Sequence, residues 1–344
     1  MSKLEFVSLD VTYKCNFNCL HCFNSSGQEK AYLKEMSEEE MVRIASELAK
    51  YEPMSFCLCG GEPLLKKEAV YRIGKAIKMV SPNTSVNLVT NGFFMTDEIA
   101  DNLKDNEFNL IQVSLDGISG DTHNWLRGND NALEHALRAI DIVVSKGFHT
   151  GVACAPTKKN LEQIPDIIEK VHSMGVKSFR TQPLMLLGRA KRNLQEYVLD
   201  EYDRFVLVEP LDEAKTKYKD MEISWGDPIQ HIANLRANEK DVNFVCVNTF
   251  GNIILTPYLP IDFGDMKEHT LEEYIQNGYA KINRNVFVNK LLSMIDDANT
   301  LDVHEQNVLL PELGVEENIH MDLLGEISPD VQGAQLLKKY FGCE

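Results

Sequence analysis

The sequence predicts an α/β protein, a partial TIM-like (βα)6 barrel with a C-terminal extension of β-hairpin and helix. Three observations predict it. Between residues 6 and 190, six short β-rich runs alternate with amphipathic helical runs. Helix-start signals stand ahead of several of those helical runs. Past residue 190 the alternation stops, which divides the chain into a core over 1–190 and an extension over 191–344. No apolar run reaches the roughly 18 residues of a membrane span.

The strands are expected at Phe6–Val11, Ser55–Cys59, Ser85–Thr90, Leu110–Leu115, Thr150–Ala155 and Ser178–Pro183. Ser37 with Glu40, and Asn131 with Glu134, have capping-box spacing, in which side chain and backbone at a helix start satisfy each other. Asn160 with Gln163 opens a further helix, and Gly175 ends it, because glycine tolerates the left-handed backbone past a helix end. Over Ala132–Lys146, Leu133, Ala136, Leu137, Ile140 and Val143/Val144 share one face. Strand–helix units in series call for a parallel sheet joined by right-handed crossovers. Six strands fall short of the eight that close a barrel, and functional groups are expected at the C-terminal ends of the strands.

Beyond residue 190, Asn193–Lys219 is expected as a helix with Tyr202, Phe205, Val206 and Leu211 as its apolar positions. Phe244–Thr256 is expected as a hairpin around Phe250-Gly251-Asn252, and Leu271–Tyr279 as a short helix. The tail from Asn299 to Glu344 mixes acidic helix and loop without a clear period.

Charge narrows the partners. The chain has 35 Lys+Arg against 52 Asp+Glu, a net −17. It lacks the positive excess that draws nucleic acid or anionic membrane, although Arg189, Lys191 and Arg192 could form a local small-anion site. The N-terminus MSKLEFVSLDV has no signal-peptide h-region, so a reducing cytoplasm is the expected compartment. There, clustered cysteines point to metal or catalysis rather than to disulfides.

The eight cysteines are unevenly placed, and Cys15, Cys19 and Cys22 lie within eight residues directly after the first strand. Three thiolates can grip three corners of a four-iron cubane and leave one iron open, whereas a closed structural site takes four ligands. A zinc knuckle completed by His21 or a distant residue is the alternative. Inert core cysteines fit poorly on a loop that also carries Lys14, Asn16, Asn18 and His21.

The spacing Cys15-xxx-Cys19-xx-Cys22 resembles the radical S-adenosylmethionine (SAM) family. Cys59-Gly60-Gly61-Glu62-Pro63 ends the second strand and resembles that family's GGEP motif. Thr90-Asn91-Gly92 ends the third strand, Ser114-Leu115-Asp116-Gly117 the fourth, and Leu186, Gly188, Arg189 and Ala190 follow the sixth. The resemblance implies one [4Fe-4S] cluster held by Cys15, Cys19 and Cys22, with SAM on the open iron. It also implies reductive cleavage to methionine and a 5′-deoxyadenosyl radical, which takes a hydrogen atom from substrate, and a flavodoxin- or ferredoxin-type electron donor. Gly60 and Gly61 would admit the ligand closely, and Gly61 or Glu62 would accept from the SAM ammonium, with Pro63 stiffening the turn. Ser114 would bond ribose or carboxylate, Leu186 and His21 would lie near adenine, and Asn91 and Thr90 would touch the ligand or simply end the strand. Asp116 is a ligand contact or a turn residue, and Arg127 a carboxylate binder or an ion-pair residue.

The segment from Cys246 to Asp265 resembles the SPASM/twitch hairpin of radical SAM peptide-modifying enzymes, but most of the cysteines for auxiliary clusters are missing. Thr256 stands near where one would come. A single cluster is therefore expected. Cys57, Cys59 and Cys154 are expected as core thiols, with Cys59 near the cavity. Cys246 is either a packing residue or a hydrogen-atom donor of the kind peptide epimerisation needs. The leading expectation is modification of a ribosomally made peptide by cross-linking, thioether formation or epimerisation. Because the first strand starts at residue 6, leader recognition would fall to a separate protein or a leaderless mode. The alternatives are the same chemistry on a small molecule or cofactor precursor, and a non-enzymatic zinc or iron–sulfur binding module.

Overall fold

The computed structural model describes residues 4–27, 34–226, 228–237, 240–259, 261–295 and 319–342. In chain order, the first half contains β1 (Phe6–Thr12), α1 (Glu38–Ala49), β2 (Ser55–Gly60), α2 (Lys67–Val80), β3 (Ser85–Thr90), α3 (Asp97–Asp105), β4 (Leu110–Ser114), α4 (His123–Arg127), α5 (Ala132–Ser145), β5 (His149–Cys154), α6 (Ile164–Ser173) and β6 (Ser178–Thr181). Then come α7 (Arg189–Asn193), α8 (Glu201–Lys217), β7 (Glu222–Trp225), α9 (Pro228–Arg236), β8 (Phe244–Val247), β9 (Asn252–Ile254), β10 (Ile261–Asp265), α10 (Leu271–Gln276), α11 (Val286–Ser293), β11 (Ile319–His320) and α12 (Pro329–Phe341).

One sheet runs through all of it, in the order β11-β10-β9-β8-β1-β2-β3-β4-β5-β6-β7. The six expected strands are present and parallel. The structure adds β7 and joins the first arm of the expected hairpin, β8, to the same parallel run. β7 pairs parallel to β6, and β8 pairs parallel to β1. Eight parallel strands, β8-β1-…-β7, therefore form a barrel-like run that ends at β7 on one side and passes into β9 on the other. The sheet crosses residue 190 without a break and continues through the antiparallel β8–β9 hairpin into β10 and β11.

Alternation along each strand separates two faces. Val7, Leu9 and Val11 on β1, Phe56 and Leu58 on β2, and Val86 and Leu88 on β3 are fully buried against the helices. Each such side chain contributes about 1.5–3 kcal/mol of apolar burial. Their neighbours Ser8, Asp10, Cys57, Cys59 and Asn87 are half-buried and face the concave inside. Cys57 and Cys59 thus line the interior and are not core thiols, whereas Cys154, 2% exposed, sits in the core as expected. No helix among the described residues is long and apolar enough to cross a membrane.

The Ser37–Glu40 capping box forms in full, and Gly175, at φ +90°, ends α6. The other two expected caps do not form. Asn131 makes no side-chain cap bond to α5; instead Leu133 N donates to Asn124 Oδ1. Asn160 turns inward, donating to the carbonyls of Asp116 and Ala155. The expected 193–219 helix begins at Glu201, and its buried stripe is Leu207, Leu211 and Ala214. Tyr202 and Phe205 are three-quarters exposed, because a 3.6-residue period seated on Leu207 and Leu211 turns them to solvent. The Asn299 end of the tail and Cys343 lie outside the described residues.

Candidate active site

The loop after β1 carries Cys15, Cys19 and Cys22, and four glycines let other elements press against it. A Cβ on Gly60, which has φ +117°, would come within 2.6 Å of Thr12 O, and one on Gly61 would overlap Lys14 O. A Cβ on Gly128 would lie 2.5 Å from Asn18 O, and one on Gly188 would overlap Phe23 O and approach Cys22 O at 2.7 Å. Gly60 and Gly61 therefore make room for the protein's own cysteine loop, where the sequence had suggested room for a ligand. Hydrogen bonds complete the grip: Gly61 N to Thr12 O at 2.7 Å, Glu62 N to Lys14 O at 2.9 Å and Leu20 N to Leu126 O at 2.8 Å.

Arg189 pins the far side. It is 4% exposed; its Nε donates to Cys19 O and its Nη1 to Ser26 O, both at 2.7 Å. It is thus a loop-holding residue rather than part of an open anion site. Glu35 holds the base, accepting from Thr12 Oγ1 and Tyr13 N and pairing with Lys66 at 2.8 Å. Sequence reasoning did not single out Glu35, since an isolated glutamate before a helix has no motif.

Glu62 and Asp116 are both fully buried. Glu62 accepts from Leu64 N, Thr90 Oγ1 and Asn91 N at 2.8–3.0 Å, tying the turn after β2 to the end of β3. Burial pushes its carboxyl upward. Asp116 pairs with Arg127 Nε at 2.6 Å and accepts from Ala155 N at 2.8 Å. Although burial opposes ionisation, the Arg127 guanidinium holds Asp116 below the usual carboxylate range. Asp116 N donates to His123 Nδ1, so Nε2 of that ring carries the proton. The Asp116–Arg127 pair lies beneath Cys19, and Arg127 counteracts the rise that burial imposes on that thiol.

Of the other expected residues, Asn91 touches the cysteine loop directly. Asn91 Nδ2 donates to Asn16 Oδ1 at 2.9 Å and lies 4.0 Å from Cys15 Sγ. Ser114 ends β4 half-buried on the inner face. Pro63 is the first residue of a 3-10 turn behind Glu62. Leu186, 6% exposed, lies in the loop between β6 and α7. His21 is held neutral, its pKa lowered to about 4 mainly by burial. Cys246, on β8, is on the inner face with Ser8, to which it is paired in register, and burial pushes its thiol up to about 12. Cys59 Sγ lies 3.2 Å from both Ser8 Oγ and Asp10 Oδ1.

The donor set suits an iron–sulfur cluster. Three sulfurs come from one short loop. On that loop Asn16 Nδ2, His21 Nδ1 and Ser25 Oγ are buried with no hydrogen-bond partner among the described residues, leaving polar groups for a bound cluster and its ligand. Burial pushes Cys15 up to about 12, so cluster binding must displace thiol protons, as metal binding does generally. No three His, Cys, Asp or Glu side chains among the described residues converge on a single-ion site; a cubane instead places each sulfur on its own corner.

Residues 9–179 match the radical SAM superfamily model. An AdoMet-dependent heme synthase of Methanosarcina barkeri is 24% identical over 79% of this chain and 82% of its own length. The sporulation killing factor maturation protein SkfB of Bacillus subtilis is 28% identical over 65% of this chain. The chain spans about half of SkfB's length, 51%. In fold, anSMEcpe with bound AdoMet superposes with a TM-score of 0.63 at 16% identity, over 97% of this chain and 96% of that one. The cysteine loop, the glycine-clamped strand ends and these matches agree: the chain belongs to the radical SAM superfamily, enzymes that use S-adenosylmethionine and a [4Fe-4S] cluster.

Proposed function

We propose that this enzyme abstracts hydrogen from a ribosomally made peptide held inside the split barrel, leading to a cross-link, a thioether or an epimerised residue. The observation that carries the reading is the open edge of the sheet. β7 is a terminal strand of the sheet and pairs only with β6 among the described residues, so an extended chain could approach the polar inner face along that edge. SkfB, a maturation protein by name, supports a peptide substrate.

Cys15, Cys19 and Cys22 would hold the cluster, which with SAM supplies the 5′-deoxyadenosyl radical after one electron arrives from a flavodoxin- or ferredoxin-type donor. His21, Asn91, Ser114 and Leu186 would contact SAM. Gly60, Gly61, Glu62, Pro63 and Asp116 hold the strand ends rigid, which keeps the reacting groups in position. Cys246 would return a hydrogen atom to a substrate carbon radical. With its pKa at about 12 it keeps its S–H at neutral pH, and the sulfur radical left behind would need one electron and one proton to recover.

A second reading, a small-molecule or cofactor-precursor substrate, is favoured by the heme synthase, whose length this chain matches almost throughout. Anaerobic turnover separates the two. Peptides encoded near the gene and iron porphyrins are supplied in parallel, and 5′-deoxyadenosine and product mass are read together. Deoxyadenosine formation stimulated only by a peptide, with a matching change in peptide mass, supports the first reading. Stimulation only by a porphyrin overturns it.

A further inference from the structure

Among the residues of the eight parallel strands, Arg180 on β6 is the only lysine or arginine. Register places it on the inner face. Ser114, Ala153, Arg180 and Ser224 are paired in sequence across β4, β5, β6 and β7. Their chain neighbours Val113, Val152, Phe179 and Ile223 are buried on the helix side. Arg180 is exposed, and no hydrogen bond or ion pair joins its side chain to another described residue.

The fold makes room for this side chain. Gly226, just past β7, is tied to the end of β6 by Gly226 N to Thr181 O at 2.7 Å. A Cβ there would overlap Arg180 Nε and stand 2.8 Å from Cζ, so the guanidinium rests directly on the glycine backbone. Its charge also reaches Tyr258, whose ring centroid lies 5.9 Å from that of Phe23 on the cysteine loop. Its hydroxyl, raised by burial, is held back by Arg180. Arg180 thus stands on the inner face beside the terminal strand β7, packed against Gly226 and within electrostatic reach of Tyr258.

A guanidinium fork with no carboxylate partner among the described residues matches the two oxygens of a carboxylate. We propose that Arg180 is a specificity-determining residue that binds a carboxylate of the substrate, a peptide acidic side chain or a propionate-type group, in the same layer of the barrel as Ser114. This deepens the proposed function and rests on its premise that substrate enters the interior. SAM also carries a carboxylate, so the test must tell the two apart.

The cluster-loaded, SAM-bound enzyme is titrated with two probe pairs: coproporphyrin III against its methyl ester, and a short amidated peptide with one glutamate against its glutamine counterpart. In wild type the free acid of at least one pair should bind at least tenfold more tightly than its blocked form. R180Q should erase that ratio and R180K should restore part of it, since a lysine keeps the charge but not the fork. If no free acid binds more tightly than its blocked form, or if R180Q keeps the ratio, the proposal is wrong. If R180Q instead loses affinity for SAM with the ratio intact, the carboxylate is SAM's own and the proposal is likewise wrong. A ratio seen only with the porphyrin supports Arg180 while overturning the peptide reading.

Discussion

Removing Arg127 tests how the cysteine loop is supported. Asp116 is completely buried and pairs with Arg127 at 2.6 Å. In Arg127→Met its carboxylate would retain the Ala155 amide but lose its only ion-pair partner among the described residues. An uncompensated buried charge costs about 3–5 kcal/mol. Neutralising both, in Asp116→Asn/Arg127→Met, removes the uncompensated charge, and the double variant should lie within about 1–2 kcal/mol of wild type. The expected coupling between the two changes is therefore at least about 2 kcal/mol. Urea unfolding under anaerobic conditions gives each value from the midpoint and slope, and iron content shows whether the loop above the pair still holds its cluster. The pair also sets a pH dependence. Because Asp116 titrates below its ordinary value, its contribution is complete above about pH 4 and is lost as the pH falls through its folded pKa. Arg127→Met should flatten that acid-side loss. A loss under about 1 kcal/mol, or strictly additive single changes, would refute the buried-pair argument.

Three further outcomes follow from the same geometry. Gly61→Ala drives a methyl group into Lys14 O; it should cost about 2–4 kcal/mol through overpacking and lost turn hydrogen bonds and lower iron retention on reconstitution, read by thermal melting and iron assay. Asp10 is raised to about 6, chiefly by burial, so the folded state binds the extra proton and stability falls as pH rises from about 4 to 6. Asp10→Asn should remove that slope and gain about 1–2 kcal/mol at pH 8, discounted for the partial exposure of the side chain. Cys246→Ala should leave deoxyadenosine formation in place but, if product is epimerised, abolish deuterium uptake from heavy water at the product carbon; unchanged uptake removes the hydrogen-donor role.

Much of the barrel could be inferred because strands buried on one side alternate strictly. Ser85–Thr90 matches residue for residue, and other strand ends shift by one or two. β7 was missed, and β8, expected as the first arm of the hairpin, was not foreseen as a barrel strand beside β1, for the opposite reason. Four-residue strands such as Glu222–Trp225 are too short to show a period, and their pairing is decided by β6 and β1 far away in sequence. Asn160 illustrates the limit of local signals, since its amide satisfies buried carbonyls at Asp116 and Ala155 instead of capping a helix. At the site, the cysteine spacing and strand-end motifs could be found from the chain alone. The division of labour within the motifs could not. Whether a glycine accommodates a ligand or a neighbouring loop, and whether Asp116 faces a cofactor or Arg127, depends on contacts across more than ten residues. Arg180 was invisible because it belongs to no motif, and Tyr258 carried no signal of its own within the hairpin-like segment; register alone brings Arg180 to the inner face.

The central claim is that the loop after β1 carries an iron–sulfur cluster with a site for SAM. Anaerobic reconstitution followed by metal analysis and low-temperature paramagnetic resonance, with and without SAM, tests it directly. One cubane's worth of iron per chain, a reduced signal that changes when SAM is added, and loss of both in a Cys15→Ala/Cys19→Ala/Cys22→Ala variant are the predicted results. Zinc in place of iron, or the same iron signal surviving in the triple variant, would contradict the account.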